Sequence, residues 1–220
     1  MAEETAKGYR VVFEGGQGEL TEKKSRFIAT VRPVETEEEA VAFIAEMKKK
    51  YWDARHNCSA FVLGDRQQMT RCSDDGEPAG TAGRPMLDVL LREGITNVAV
   101  VVTRYFGGVL LGTGGLVRAY QGAVQAGLAA SQIIEKCRGH QLAIHTGYTE
   151  LGKLQYTFAQ NTITIVDTEY AADVVLHVMI PAEKKTQMTK AITETTSGRA
   201  VLDWGEEVEY AILEGELLLF

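Results

Sequence analysis

One stretch of the sequence, residues 97–125, constrains the fold most strongly. It opens with an uncharged, mostly β-branched run, Val98–Thr103, which predicts a strand that is covered on both faces. A glycine-rich loop follows, and after it small and apolar residues recur at helical spacing. This order directs free backbone N–H groups and the positive end of a helix dipole to one place. Such a place is a suitable physical setting for an anion.

The loop is defined by five glycines, which are Gly107, Gly108, Gly112, Gly114 and Gly115. It is not a Walker A loop, because no Lys-Ser or Lys-Thr follows them, and it is not a dinucleotide fingerprint, because the third position is Val117. A tight turn with close helix–strand approach is the other explanation, and chemistry alone favours it. Arg104 and Arg118 flank the loop and support an anion site. Tyr105 and Phe106 are candidates to stack on bases, with packing in the core at the strand end as the alternative.

Three motifs give the chain a family resemblance. The segment Arg104–Gly108, spaced from Gly94 and followed by Gly112, resembles the signature of the YigZ/IMPACT family. The segments Ser73–Pro85 and Arg55–Cys58 agree with it. Together the motifs cover about residues 20–130, and the remainder resembles the small C-terminal domain of bacterial YigZ proteins.

The resemblance implies a cytoplasmic protein that is linked to translation. It implies an N-terminal domain similar to the fourth domain of elongation factor G, a ribosomal-protein-like α+β sandwich. It also implies a C-terminal domain similar to the ferredoxin-like fifth domain of that factor. The eukaryotic IMPACT relatives restrain a starvation-responsive initiation-factor kinase by competing for its activator. The resemblance supplies no catalytic residues.

A second loop, residues 74–83, also leads into a predicted helix. It carries Asp74, Asp75 and Gly76, with Arg84 after it and His56 expected near Asp75 across a hairpin. If both loops leave one end of the same sheet, they form one groove. The carboxylates would serve either a divalent ion or the capping of the loop by Asx turns, and capping is favoured. Thr81 is the expected helix cap.

The same hairpin raises two further hypotheses for chemistry. One is a thiol nucleophile, Cys58 or Cys72, paired with a histidine; the other is a metal held by His56, Asp74 and Asp75. The first lacks a recognisable local signature, and the second has few ligands and no metal-binding spacing. Simple packing with a His–Asp hydrogen bond is therefore favoured over both, and no metal or cofactor is predicted.

Charge and cysteine usage bound the function. Residues 139–220 contain 5 Lys and Arg against 12 Asp and Glu, whereas residues 1–138 contain 18 of each, so the net charge of −7 lies entirely in the C-terminal part. Any contact with RNA is therefore expected in the N-terminal part. A basic cluster there, formed by Lys23, Lys24, Arg26 and Arg32, is interpreted as a solvated strand edge. Three cysteines without a CxxC pair suit a reducing cytoplasm.

The remaining pattern predicts an α+β protein of two domains, residues 1–138 and 139–220. The first contains two strands within residues 9–34 and a helix that begins with a capping box at Thr36–Glu39. The second reads β-α-β-β-α-β, which is the ferredoxin-like order. No apolar run is long enough to span a membrane, no signal peptide is visible at the N-terminus, and a monomer is expected.

Two functions from different classes remain open at this point. The first is a translation-associated regulator that binds RNA, the ribosome or a ribosome-bound protein partner through the N-terminal domain. The second is a hydrolase or peptidase that acts in the groove between the loops with His56, Asp74, Asp75 and Arg104. The absence of a nucleophile elbow or an HExxH motif favours the first.

Overall fold

The computed structural model describes residues 8–220, and the chain divides into two compact units, residues 9–135 and residues 136–220. We call them the N-terminal unit and the C-terminal unit. Both mix strands and helices, which confirms the predicted α+β class with two domains. The beginning of the chain, where no signal peptide is predicted, lies mostly outside the described residues. Within residues 8–220 no helix combines the length and the apolar character that crossing a membrane requires.

The N-terminal unit contains seven strands and three helices in full. The strands are β1 (Tyr9–Glu14), β2 (Gln17–Glu22), β3 (Ser25–Pro33), β4 (His56–Leu63), β5 (Met69–Ser73), β6 (Ile95–Thr96) and β7 (Val98–Tyr105). The helices are α1 (Glu37–Lys50), α2 (Gly83–Arg92) and α3 (Thr113–Ala129).

An antiparallel sheet of five strands, in the order β2-β3-β7-β4-β5, forms the middle layer of this unit. Its central strand β7 is buried on both faces, as predicted. Val98, Val100 and Val102 pack into a core cluster with α2 and α3, while Ala99 and Val101 pack with α1 on the opposite face. Helices therefore cover both faces of the sheet, and β1 pairs in parallel with β6 apart from it.

Residues 9–34 form three strands where the sequence predicted two. The glycines at 15, 16 and 18 were read as a break, but Gly18 lies inside β2. A Cβ atom on Gly18 would lie 2.2 Å from the carbonyl carbon of Ala126, so glycine here permits close contact between β2 and α3. The same glycine that weakens a strand pattern in sequence is required by the packing of a helix against that strand.

The predicted capping box is present at the start of α1, but one of its two hydrogen bonds uses a neighbouring backbone N–H group. The Thr36 hydroxyl accepts from the Glu39 backbone N–H at 3.2 Å. The Glu39 carboxylate accepts from the backbone N–H of Glu35 at 2.7 Å, where the standard motif would use that of Thr36.

The C-terminal unit has the predicted ferredoxin-like order. Strand β8 (Gln132–Thr146) crosses from the N-terminal unit into this unit at Lys136. It is followed by α4 (Tyr148–Gln160), β9 (Thr164–Tyr170), β10 (Val174–Pro181), α5 (Lys185–Thr195), β11 (Val201–Leu213) and β12 (Glu216–Leu219). The strands pair in the antiparallel order β9-β10-β8-β11-β12. The core lies between this sheet and the two helices, and a short 3₁₀ turn, Ala182–Lys184, precedes α5.

Candidate functional site

Both glycine-bearing loops leave the five-stranded sheet at the same end. Strands β4 and β7 are antiparallel with His56 opposite Arg104, so the start of β4 lies beside the end of β7. Strand β5 returns along β4 and ends with Ser73 opposite Ser59, close to that same end. Both loops therefore leave one end of the same sheet, which is the arrangement on which the predicted groove depends. We call residues 74–82 the first loop and residues 106–112 the second loop.

A buried carboxylate, Glu77, connects the first loop to the elements around the second. It accepts hydrogen bonds from Arg104 Nη1 at 2.6 Å and from the Tyr120 hydroxyl at 2.8 Å. The side chains of Arg104 and Glu77 are only 8 % and 3 % exposed. The charge of Arg104 is therefore neutralised by Glu77 inside the protein. The ion pair connects the end of β7 to the first loop.

The surroundings of Arg104 support this structural role. Its guanidinium carbon lies 5.4 Å from the centre of the Phe27 ring and 5.6 Å from that of Phe106. Among the described residues its Nε atom is buried without a hydrogen-bond acceptor. Cation–π contacts and one short ion pair therefore hold the side chain in place.

The candidate nucleophile Cys58 is buried and its thiol is bonded within the protein. Its Sγ atom donates to the Asp74 carbonyl at 2.9 Å and lies 3.3 Å from the Tyr120 hydroxyl. Burial raises the pKa of the Cys58 thiol to about 12, with smaller contributions from the nearby carboxylates. A thiol that stays protonated at neutral pH is a poor nucleophile. Cys72 is exposed, and burial together with Asp74 raises its pKa as well.

Asp74 caps helix α2 in place of the predicted Thr81. Its carboxylate accepts from the backbone N–H groups of Gly80, Ala82 and Gly83 at 2.8, 3.0 and 2.8 Å. Burial alone would raise the pKa of Asp74, but these three donors outweigh it and the pKa lies below its usual value. The Thr81 hydroxyl instead donates to the Pro78 carbonyl at 2.6 Å, so the prediction of a Thr81 cap was wrong.

The other residues predicted in the first loop also bond within the chain. Asp75 accepts from Lys48 Nζ at 2.5 Å and from the Asn57 backbone N–H at 2.7 Å. His56 Nδ1 lies 2.9 Å from the Asp75 carbonyl oxygen, which matches the expected proximity of His56 and Asp75. No group of three or more metal-ligating side chains in residues 8–220 has the geometry to hold an ion.

Two predicted residues complete the description of the first loop. Gly76 has a φ of +87°, and a Cβ atom at this position would lie 3.4 Å from His56 Nδ1. Arg84 forms an exposed ion pair with Asp88 at 2.8 Å, one turn further along α2. The sequence identified the first loop correctly as a cluster, and the contacts of the cluster stabilise the loop itself.

The second loop leaves its helix end open. The N-cap of α3 is Gly112, with a φ of +71° that favours glycine, and within residues 8–220 no side chain accepts a hydrogen bond from the first turn. The first turn contains Thr113, Gly114 and Gly115 and no acidic residue. Because α3 is 17 residues long, its dipole is fully developed at this end.

Two lysines that sequence analysis assigned to a solvated strand edge lie beside the second loop. Lys23 and Lys24 form the turn between β2 and β3, and a Cβ atom on Gly107 would lie 2.0 Å from the carbonyl carbon of Lys24. The Gly107 backbone N–H donates to the Ser25 hydroxyl at 3.1 Å. The proximity of the Lys23–Lys24 turn to the second loop follows from the β3–β7 pairing, in which Arg26 lies opposite Tyr105. The sequence alone does not reveal this pairing.

The packing of β2 on α3 places this lysine turn at the start of the helix. Gly18 lies against Ala126, and Gly122 lies against Leu20, so β2 runs antiparallel to α3. The turn that follows Glu22 is therefore at the N-terminal end of α3.

Three cations at this end are free to meet an anion. Lys23, Lys24 and Arg118 are exposed and form no ion pair within residues 8–220. Arg118 Nη1 comes within 3.8 Å of the Cβ position of Gly114, so its guanidinium lies over the first turn of α3. The other members of the basic cluster are paired, Arg26 with Glu19 and Arg32 with Glu46. The nearby carboxylate of Glu22 reduces the net positive charge of the turn.

Several large apolar side chains are exposed or half-buried at the same end of the sheet. Phe106 is 51 % exposed and Leu110 is 82 % exposed at the tip of the second loop. Tyr105 is half-buried, and its hydroxyl donates to Asp53 at 2.9 Å; burial and then Asp53 raise its pKa. Trp52, next to Asp53, is 81 % exposed. Backbone N–H groups, unpaired cations and exposed rings therefore occur together at this end of the sheet.

Comparisons with known proteins agree with the resemblance seen in the sequence. The model of the Impact N-terminal domain matches residues 23–128, and that of a domain of unknown function, DUF1949, matches residues 144–199. The chain is 38 % identical to IMPACT family member YvyE of Bacillus subtilis, over 90 % of this chain and 91 % of that protein. It is 39 % identical to IMPACT family member YigZ of Escherichia coli, over 80 % and 87 %.

A eukaryotic protein and a solved structure are also similar to the chain. Protein IMPACT of Mus musculus is 38 % identical over 42 % of this chain and 30 % of its own length. A crystal structure described as that of a hypothetical protein is 36 % identical and superposes with a TM-score of 0.57, over 89 % of this chain and 96 % of that one.

Proposed function

The chain belongs to the IMPACT family, and on that premise we propose that it is a cytoplasmic regulator of translation that binds RNA on the ribosome. The binding surface is the end of the N-terminal unit formed by the second loop, the start of α3 and the Lys23–Lys24 turn. The observation that carries the proposal is the open N-terminus of α3, beside which three unpaired cations lie.

The charges at this surface suit phosphate groups. Backbone N–H groups at a helix N-terminus bind phosphate without any side chain, and Lys and Arg add sequence-independent affinity for a nucleic-acid backbone. The N-terminal unit as a whole is close to neutral, so the attraction is local and depends on these few groups. A binding site of this kind is sensitive to salt, because each neutralised phosphate releases counterions.

The exposed rings add a second type of contact. Phe106 offers a ring face at the loop tip, and aromatic faces stack on unpaired bases without sequence preference. Single-stranded or looped RNA therefore fits the surface better than a regular duplex, whose bases are already stacked.

The hydrolase hypothesis receives no support from the geometry. Its carboxylates are bonded to backbone N–H groups and to Lys48, Arg104 is paired with Glu77, and the Cys58 thiol is held protonated. Asp74, Asp75 and Arg104 are therefore engaged within the chain, and His56 Nδ1 lies 2.9 Å from the Asp75 carbonyl oxygen.

Co-sedimentation with ribosomes over a salt series tests the proposal. The variant Lys23→Gln/Lys24→Gln/Arg118→Gln removes the three cations. The matched control Arg66→Gln/Arg92→Gln/Lys153→Gln removes the same charge from exposed positions elsewhere. We expect salt-sensitive pelleting that the first variant loses and the control keeps, with a fall in log K of roughly two per tenfold increase in salt for three phosphate contacts.

Two results would contradict the proposal. Pelleting that ignores both salt and the three substitutions would indicate a protein partner in place of RNA. A protein that stays in the supernatant at low salt does not bind ribosomes at all.

A further inference from the structure

The sheet of the C-terminal unit has one covered face and one open face. Helices α4 and α5 pack on the first, where Leu142 and Ile144 of β8 are buried. The alternate residues of the same strand point to the other side, where Gln141 and His145 are exposed. One face of an antiparallel sheet is commonly exposed to water. The composition of that exposed face therefore decides whether it can also bind a partner.

The open face is acidic and contains a shallow cavity. The cross-strand register aligns Asp167, His177, Ala143 and Asp203 in one row across four strands. Glu169 lies opposite Val175 in the neighbouring row. The cavity at this row measures about 480 Å³, and the carboxylates of Asp167, Glu169 and Asp203 line it. No Lys or Arg is among the described residues that line it.

The carboxylates are only partly compensated by neighbours. His177 Nε2 lies 2.8 Å from Glu169 at the surface, while Asp203 forms no ion pair within residues 8–220. Lys185, at the start of α5, lies 5.0 Å from the centre of the Trp204 ring. Residues 136–220 contain 12 acidic and 7 basic side chains, so the whole unit strengthens the negative potential of this face.

We propose that this open face is a docking surface for a Lys- and Arg-rich segment of a partner protein. The ammonium and guanidinium groups of the segment meet the three carboxylates. Its aliphatic stems pack on the apolar surface that Ala143 and the exposed Val166 give the cavity. Charge complementarity selects this partner, because an acidic segment or a phosphate backbone would be repelled here. The proposal is independent of RNA binding by the N-terminal unit.

Trp204 offers a direct readout of docking. The chain contains two tryptophans, Trp52 and Trp204, so a Trp52→Phe background leaves Trp204 as the only tryptophan reporter. Trp204 lines the cavity, and a cationic segment bound there changes its emission. The probe is an oligolysine peptide, with an oligoglutamate peptide of equal length as the comparison.

Two triple variants of the full chain separate this face from general acidity. Asp167→Asn/Glu169→Gln/Asp203→Asn neutralises the open face. Glu183→Gln/Glu194→Gln/Glu216→Gln removes the same charge from elsewhere in the C-terminal unit. We expect saturable oligolysine binding that weakens as salt rises, that the first variant reduces roughly tenfold or more, and that the second changes less than about twofold.

Each other outcome overturns the proposal. Equal loss in both variants would mean that only the net charge attracts the peptide. Binding that survives in the first variant would place the peptide elsewhere, and equal binding of oligoglutamate would exclude charge complementarity. If oligolysine produces no change at low salt, the face is not a docking surface for basic segments. Circular dichroism of each variant checks that it is folded. The single variant Asp203→Asn repeats the test with the smallest perturbation, because the Asp203 side chain forms no ion pair within residues 8–220.

Discussion

The first and second loops leave the same end of one sheet, contain glycines and lead into helices, yet their helix ends differ. The N-terminus of α2 is occupied by Asp74, which accepts from three backbone N–H groups. The N-cap of α3 is Gly112, and no side chain in the described part of the chain accepts a hydrogen bond from the first turn of this helix. The first helix end is closed by an anion from its own chain, and the second is open to an anion from outside.

This difference distinguishes a loop that is engaged within the chain from the loop that we propose binds RNA. The charged side chains predicted in and beside the first loop have partners within the chain: Asp74 with three backbone N–H groups, Asp75 with Lys48, and Arg84 with Asp88. Beside the second loop, Lys23, Lys24 and Arg118 have none in the described residues. Substitutions in the first loop are therefore expected to change stability, and those beside the second loop to change binding.

The largest effect on stability is expected from Glu77→Gln. This substitution leaves the buried guanidinium of Arg104 without a counter-charge, and such a loss costs about 3–5 kcal/mol. Asp88→Asn is the control, because it breaks an exposed ion pair in the neighbouring helix at a cost of about 0.5 kcal/mol. Guanidinium unfolding of both variants measures the difference. Similar free energies of unfolding for the two would show that Glu77 does not hold Arg104 as described.

A smaller loss is expected from Asp74→Ala. Removing the cap leaves three backbone N–H groups of the first loop and α2 without an acceptor, which costs about 2 kcal/mol. Thr81→Ala, at the cap position that the sequence suggested, removes one hydrogen bond and costs about 1 kcal/mol. If Thr81→Ala proved the more damaging of the two in urea unfolding, the assignment of the cap to Asp74 would be wrong.

The pH dependence of stability gives an independent check of the Asp74 cap. The pKa of Asp74 is lower in the folded protein than in the unfolded chain, so its stabilising effect is complete above the unfolded pKa of about 3.9. It is lost as the pH falls through the folded pKa. The difference in unfolding free energy between wild type and Asp74→Asn should therefore be constant from about pH 5 to 7 and shrink below about pH 4. A difference that grew in acid would have the wrong sign.

No effect on binding is expected from Cys58→Ser, because the thiol is buried and protonated. The difference between the cysteines appears instead in alkylation. Near neutral pH in the native protein, the exposed Cys72 should react while Cys58, with a pKa of about 12, stays unmodified. Mass spectrometry of the alkylated peptides measures both sites in one sample. Rapid modification of Cys58 would reopen the thiol hypothesis.

The sequence predicted the elements of the fold better than the contacts between them. Unbroken β-branched residues identified β7 as buried on both faces, and the βαββαβ order of the C-terminal unit followed from local periodicity. Strand β2 was missed because Gly18 reads as a breaker locally, whereas its role depends on Ala126 of a distant helix.

The candidate site was predicted in part for the same reason. The positions of both loops and the proximity of His56 to Asp75 followed from strand order and hairpin geometry. Pairing of Arg104 with Glu77 could not be predicted, since it depends on which strand and loop the fold brings together. The sequence could not predict that Lys23 and Lys24 lie beside the second loop, because this depends on the β3–β7 pairing that places their turn next to Gly107.

A substitution that closes the open helix end tests the central claim most directly. Thr113→Asp places a carboxylate in the first turn of α3, where it should raise the free energy of unfolding by about 0.3–1 kcal/mol through the helix dipole. Thr113→Asn, of nearly the same shape and without charge, is the matched control. Filter binding of ribosomal RNA at low salt is the measurement, and thermal unfolding confirms that both variants are folded.

We predict that Thr113→Asp is at least as stable as the wild type and binds RNA much more weakly, while Thr113→Asn binds as the wild type does. Weaker RNA binding in a more stable protein would locate the phosphate site at the start of α3. Equal RNA binding by the aspartate and asparagine variants would contradict the claim that this helix end is the site.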